Sequence, residues 1–177
     1  VWHLAAKTRL GAGPAELRRV NVDGTRNVLE LCRAAKRLSR LSHFSTAFVS
    51  GTRVGVILED ELSVGQRFHN AYEETKYQAE LLVRRAQSEL PATVLRPSIV
   101  VGDSRTGEID RANGPYRVFG ILSALAALPK FTPVVLPDVG RTNLVPVDFV
   151  VDALVALIRL DGRDGQTFHL TAPATTS

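Results

Sequence analysis

Two short β-prone runs, set between long amphipathic helical patterns, restrict the fold of this chain more than any other feature. His43 to Val49 is rich in β-forming residues and short enough to be a strand buried on both faces. Ala92 to Val101 is a second such run, in which Pro97 marks a strand close to its end. Ahead of the first run lies Asn21 to Ala35, where Val22, Val28, Leu29, Leu31 and Cys32 form most of an apolar helical face. Between the runs lies Tyr72 to Glu89, with Ala79, Leu82, Val83, Ala86 and Leu90 at helical spacing and Pro91 to stop it. Strands alternating with helices of this length predict an α/β protein with a parallel, doubly wound sheet. Val1 to Ala5 reads as the end of another buried strand. Farther on, Thr142 to Val147 reads as a short strand, Asp148 to Leu160 as a helix and Thr167 to Thr171 as a last strand. From Gly102 to Pro137 the pattern breaks, apart from an apolar helix-like piece from Tyr116 to Leu128.

A complete sheet of this kind needs about six strands, and three core strands precede Gly102. The chain begins at Val1 and contains no methionine. Both points lead us to expect part of a longer protein, with the missing half upstream. The 177 residues are enough to bury a full core. No apolar run approaches the roughly 18 to 20 residues that cross a bilayer; the longest, Val118 to Leu128, is bounded by Arg117 and Pro129. No transmembrane segment is therefore expected, and the start has no signal-peptide pattern. Cys32 is the only cysteine, which excludes an internal disulfide and a cysteine-rich metal site and suits a cytoplasmic setting.

The net charge of +4 invites a nucleic-acid role. However, Arg33, Lys36, Arg37 and Arg40 cluster near a predicted helix end, where cations complement the helix dipole. No aromatic interleaving accompanies them, so no nucleic acid is expected. His3, His43, His69 and His169 lack metal-ligand spacing and are read as satisfied structural residues, with no metal site.

The sharpest chemical feature is Tyr72-Glu73-Glu74-Thr75-Lys76. One helical turn separates Tyr72 from Lys76, so both share a face. A free phenol titrates near about 10 and is a poor acid or base at neutral pH. A nearby ammonium favours the phenolate and suits proton transfer to or from an oxygen. Upstream, the run Phe44-Ser45-Thr46-Ala47 puts two hydroxyls at the carboxyl end of a strand, where parallel sheets bind ligands.

The chain carries, in order, His3-Leu4-Ala5-Ala6, Asn21-Val22-Asp23-Gly24-Thr25, Ser45-Thr46-Ala47, Tyr72 with Lys76, and Arg96-Pro97-Ser98. This succession resembles the extended short-chain dehydrogenase/reductases over essentially the whole chain. The stretch Arg96 to Asp110, followed by Gly114-Pro115-Tyr116, is similar to the branch of fatty acyl-CoA reductases and thioester-reductase domains. The resemblance implies a partial Rossmann-type fold. Residues 1–101 would be the C-terminal half of an NAD(P)-binding domain, and residues 102–177 a smaller substrate-binding part with elements returning to the core.

By the same resemblance, Tyr72 would give the proton to a substrate carbonyl, and Thr46 would orient that carbonyl. Lys76 would lower the Tyr72 pKa and bind the nicotinamide ribose. Leu4, Ala5 and Ala6 would line the ribose, Asn21 would order the site, and Pro97, Ser98 and Ile99 would sit by the nicotinamide. From the residues alone, Asn21 reads equally as a helix N-cap and Ala5 and Ala6 as strand packing.

The family's glycine-rich phosphate loop is not found. Gly11-Ala12-Gly13-Pro14-Ala15-Glu16 lacks its third glycine and reads as an ordinary loop before a helix. The cofactor implied is NADP, with NAD open because the selecting residues lie upstream. The implied substrate is a small molecule or an acyl thioester, and a homodimer is left open. Alternatives are a nucleotide-sugar epimerase or dehydratase, a hydroxysteroid-type dehydrogenase, and a sensor that keeps the fold without the reaction. Val118 to Leu128 is a candidate acyl-channel wall. Asp103, Glu108, Asp110 and Arg141 are read as solvated or loop-fixing residues.

Overall fold

The computed structural model describes residues 1–9, 11–109, 116 and 142–173. Asp110, Arg141 and the apolar piece beyond Tyr116 lie outside the described residues. The chain starts in strand β1 (Trp2–His3) and reaches helix α1 (Pro14–Arg18). Five residues of π-helix, Arg19–Asp23, carry α1 directly into α2 (Gly24–Ala34). Then come β2 (Leu41–Phe44), a 3₁₀ turn (Ala47–Ser50), α3 (Ala71–Ala86), β3 (Ala92–Pro97) and β4 (Ile99–Val101). Last are β5 (Leu144–Pro146), α4 (Val147–Arg159) and β6 (Thr167–Leu170).

Among the described residues, one sheet has the order β1-β2-β3-β6 and a second pairs β4 with β5. All the pairings are parallel; His3 stands opposite His43, His43 opposite Val94, and Leu95 opposite Phe168. Parallel strands need crossovers, and the helices that supply them cover both faces. On one face Leu29 and Cys32 of α2 and Val83 and Ala86 of α3 pack with Leu41, Ala92 and Val94. On the other, Val150 and Leu154 of α4 pack with Leu95, Val145 and Leu170. Adjacent residues of β3, Val94 and Leu95, therefore anchor opposite layers, as period-two geometry requires.

Several expectations need correction. The first long helix begins at Pro14, not Asn21. Proline suits a first helical position because its missing N–H has no partner to lose there. Leu31, expected on the apolar face of α2, is 62 % exposed. The run from His43 to Val49 does not stay extended. β2 ends at Phe44, and the Thr46 hydroxyl accepts the Phe48 N–H to start the 3₁₀ turn. The Ala92-to-Val101 run divides into two strands in different sheets, on either side of Ser98. β1 keeps two residues, and Val1, Trp2 and Leu4 are exposed beside buried His3, so it is no fully buried strand. Arg40, read as a cation closing the preceding helix, instead donates to the Leu157, Ile158 and Leu160 carbonyls at the end of α4 and pairs with Asp164.

Candidate active site

The carboxyl ends of the parallel strands gather the chemistry. After β2 the Ser45 N–H still bonds the Leu95 carbonyl at 2.8 Å, and Thr46 then leaves the sheet. Its Oγ1 accepts from Phe48 N at 3.3 Å and donates toward the Pro97 carbonyl at 3.5 Å, bringing the ends of β2 and β3 together. The turn closes at Gly51, whose φ of +59° suits glycine, and any Cβ there would meet the Arg67 carbonyl oxygen at 2.0 Å.

A reciprocal cap fixes the start of α3. Asn70 Oδ1 accepts the Glu73 N–H, while the Glu73 carboxylate accepts from Asn70 Nδ2 and the His69 N–H, each at 3.0 Å. Tyr72 thus stands in the first helical turn, with its phenol near the Thr46 hydroxyl. Burial pushes the Tyr72 pKa above its ordinary value, while the Thr46 hydroxyl pulls it down and Glu73 pushes it up. One turn on, the Lys76 ammonium donates to the Phe44 carbonyl, the last of β2, at 2.6 Å. Burial lowers Lys76 from 10.5 to about 8, against the attraction of Glu80.

Asn21 lies in the π-helical segment and is not an N-cap. Its Oδ1 accepts the Lys7 N–H at 2.7 Å, and its Nδ2 donates to the Lys7 carbonyl and to Thr75 Oγ1, each at 3.1 Å. It therefore ties the segment after β1 to α3 beside Lys76. π-Helical insertions often occur at functional sites because they re-aim one side chain. The insertion also leaves the Asn21 carbonyl to be taken by the Thr25 hydroxyl at 2.7 Å.

Leu4 and Ala5 are exposed and Ala6 half-buried at the end of β1, so strand packing does not account for them. Ser98 is buried between β3 and β4; its N–H bonds the Leu170 carbonyl at 3.2 Å, and its hydroxyl has no partner among the described residues. Pro97 and Ile99, half-buried, flank it. Among the loop residues, Asp103 accepts the N–H groups of Arg105 and Thr106 and is a turn-fixing residue.

Sequence reasoning missed Glu80. It is fully buried, pairs with buried Arg96 at 2.8 Å, and accepts the Ser45 hydroxyl at 2.5 Å. Its signal was present: Glu80 stands beside Ala79 on the buried face of α3, one turn past Lys76, where an acid needs a partner. His43 differs from the satisfied structural residue expected. It is 1 % exposed, its ring lies 5.1 Å from that of His3, and neither ring nitrogen has a partner among the described residues. Burial, with help from Lys76, holds it well below the usual histidine range.

Comparison with known proteins matches this arrangement to a family. The chain is 32% identical over 186 residues to the fatty acyl-CoA reductase wat of Drosophila melanogaster, spanning 88% of this chain and 35% of that protein. It is 26% identical over 182 residues to a polypeptide of the linear gramicidin synthase of Brevibacillus parabrevis, covering 99% of this chain and 3% of that one. Among solved structures, the terminal R domain of the myxalamid PKS-NRPS biosynthetic pathway superposes with a TM-score of 0.84 at 32% identity. That match covers 99% of this chain and 43% of the other. The chain thus spans less than half the length of each of these relatives. The family model described as male sterility protein matches residues 1–154. The chain belongs to this NAD(P)-binding family of the extended short-chain dehydrogenase/reductase type.

Proposed function

We propose that the protein is an NADPH-dependent reductase that converts a fatty acyl or related thioester to the aldehyde, and in a second round to the alcohol. The observation that carries this reading is the grouping of Thr46, Tyr72 and Lys76 at the crest of a parallel sheet, in a chain similar to a fatty acyl-CoA reductase. The residues fit a nicotinamide nucleotide. Among the described residues, Ser98 offers a buried hydroxyl with no partner, and the Lys76 ammonium has three donors against one acceptor, the Phe44 carbonyl. When bound, the cofactor supplies the hydride.

The chain's own groups manage the carbonyl oxygen. Thr46 Oγ1 fixes its position by hydrogen bonding. Tyr72 is a protonated phenol at neutral pH, as free tyrosine is, and gives its proton to that oxygen as negative charge develops. Lys76, with a pKa near about 8, is mostly cationic at neutral pH and restrains the phenolate left behind. The resulting hemithioacetal loses its thiol to give the aldehyde. Residues 1–101 form the cofactor side and residues 102–177 the substrate side in this reading.

The test is NADPH oxidation by the full-length protein with a long-chain acyl-CoA, with Tyr72→Phe run beside it. Turnover is expected to fall by about 100-fold or more in the mutant, the usual scale of general acid catalysis. An absence of turnover in a protein that demonstrably binds NADPH would discard the thioester reading.

A further inference from the structure

Three separate chain segments meet at one buried carboxylate. Glu80 Oε1 accepts from Arg96 Nη2 at 2.8 Å, from Arg96 Nε at 3.1 Å and from Arg84 Nε at 3.0 Å. Oε2 accepts the Ser45 hydroxyl at 2.5 Å. Arg96 also donates to the Glu61 carbonyl at 2.8 Å and to His169 Nε2 at 3.1 Å. Arginine has only donors, so His169 must present a bare Nε2.

The partners of Glu80 are chain neighbours of the site. Ser45 precedes Thr46, Arg96 precedes Pro97 and Ser98, and Glu80 itself follows Tyr72 and Lys76 along α3. Stability alone does not account for such a pair. Well-packed apolar residues of similar volume often serve as well as a buried ion pair, whereas fully satisfied polar networks fix geometry.

Charged and titratable groups surround Lys76 from every side. His3 faces it from β1 and His43 from β2, both held towards neutrality by burial and by Lys76. On α3 itself, Tyr72 and Glu73 lie one turn before it and Glu80 one turn after. Arg84 and Arg96 pair with Glu80, Arg96 also contacts the neutral His169 ring and the Glu61 carbonyl, and Glu59 accepts the His169 N–H. Glu80 is thus the anion set between Lys76 and two arginines.

We propose that Glu80 is a positioning residue for the reductase site, holding the segments that bear Thr46, Lys76 and Ser98 in register and facing the Lys76 ammonium with its charge. This rests on the thioester-reductase reading, because register matters only if those groups act together on a substrate. Its second half, the charge facing Lys76, can be read without turnover.

Two measurements on the full-length protein test it. The first is the titration of Lys76, followed by NMR of side-chain-labelled lysine and assigned with Lys76→Met. The second is kcat and the KM for NADPH. In Glu80→Gln, Lys76 should titrate at lower pH, and kcat should fall about 10- to 100-fold, the scale of misplaced catalytic groups. The KM for NADPH should rise by roughly two- to five-fold alongside, because Lys76 and Ser98 face the nucleotide in the proposed reading and binding lost in the ground state appears in KM. Glu80→Asp, which keeps the charge, should restore most of the Lys76 titration. Ser45→Ala leaves the ion pair intact and removes one tie, so a loss of about ten-fold in kcat is expected.

A lower melting temperature with kcat and the Lys76 titration both unmoved would reduce Glu80 to a structural residue and overturn the proposal. If the parent protein reduces no thioester, the functional reading fails on its own, and an unmoved Lys76 titration in Glu80→Gln then overturns this one. If Glu80→Gln does not fold, Ser45→Ala decides it: a parental kcat there overturns the proposal.

Discussion

Lys76 shows what a site of this kind does to the stability of its own fold. Lys76 is 4 % exposed, and its ammonium has the Phe44 carbonyl as a hydrogen-bond acceptor. A fall from 10.5 to about 8 means that the fold disfavours the charged form. At neutral pH that penalty is on the order of 3 kcal/mol, taking about 1.4 kcal/mol for each tenfold change in proton affinity. The unfolded chain binds more protons between about pH 8 and 10.5, so by linkage stability rises with pH across that window. Lys76→Met keeps the stem and removes the charge. The mutant should be more stable at pH 7 by about 1 to 2 kcal/mol, after allowing for the lost bond to Phe44. Urea denaturation at pH 7 reads this directly, and reductase activity should be lost in the same protein. A destabilised mutant would show that the buried ammonium is better solvated than its surroundings imply.

At the scale of elements, the α1–π–α2 stretch matters because it carries Asn21 to the place where β1 ends and α3 begins. Asn21→Ala would leave the buried side of Lys7 without its donor and acceptor, and Thr75 without its donor. Unmade buried hydrogen bonds cost about 1 to 3 kcal/mol, so a loss of about 2 kcal/mol is expected by urea denaturation. The exposed Asp23–Arg26 pair, one turn along the same stretch, makes a useful contrast. Removing it in Arg26→Ala should change stability by less than about 0.5 kcal/mol. Equal losses in the two mutants would deny Asn21 its bridging role.

This stretch also shows how far the sequence could be read. The alternation of helix and strand was legible because buried parallel strands are short apolar runs and their crossover helices repeat at 3.6 residues. The one-turn spacing of Tyr72 and Lys76 on a helix was legible from the sequence, and the structure sets that helix against the end of β2 through the Lys76 bond to the Phe44 carbonyl. The start of the first helix was not, because Asn21 is a good cap by composition while Gly13-Pro14 sits before a polar first turn. The end of β2 was hidden too: Phe48 and Val49 continue a β-prone run, and the Thr46 hydroxyl ends it. Glu80 was passed over because helical spacing finds apolar faces, and its partners lie on other elements, far along the chain.

For the molecule as a whole, the parallel sheet brings the ends of β1, β2 and β3 to one edge, and that geometry also gathers histidines under the site. His3 and His43 lie side by side in β1 and β2, and His169 in β6 accepts from Arg96. All three are held below the ordinary histidine value of 6.5, in each case chiefly by burial. The fold therefore prefers them neutral, and the unfolded chain takes up protons that the folded chain refuses. A base depressed in the fold contributes stability that is complete above its unfolded value and is lost as pH falls below it. The loss should begin near pH 6.5 and continue downward, well above the range in which the carboxylates Glu16, Glu61 and Asp148 titrate. Equilibrium unfolding in urea at a series of pH values from about 5 to 7.5 measures the effect, because its slope counts the protons taken up on unfolding. Stability should rise with pH up to about 6.5 and level off above it, and His43→Phe, which removes a buried ring whose nitrogens have no partner among the described residues, should flatten the slope. A slope of zero in the parent protein would mean that the buried rings are protonated as readily in the fold as in the open chain. The neutral ring pair beside Lys76 would then have to be given up.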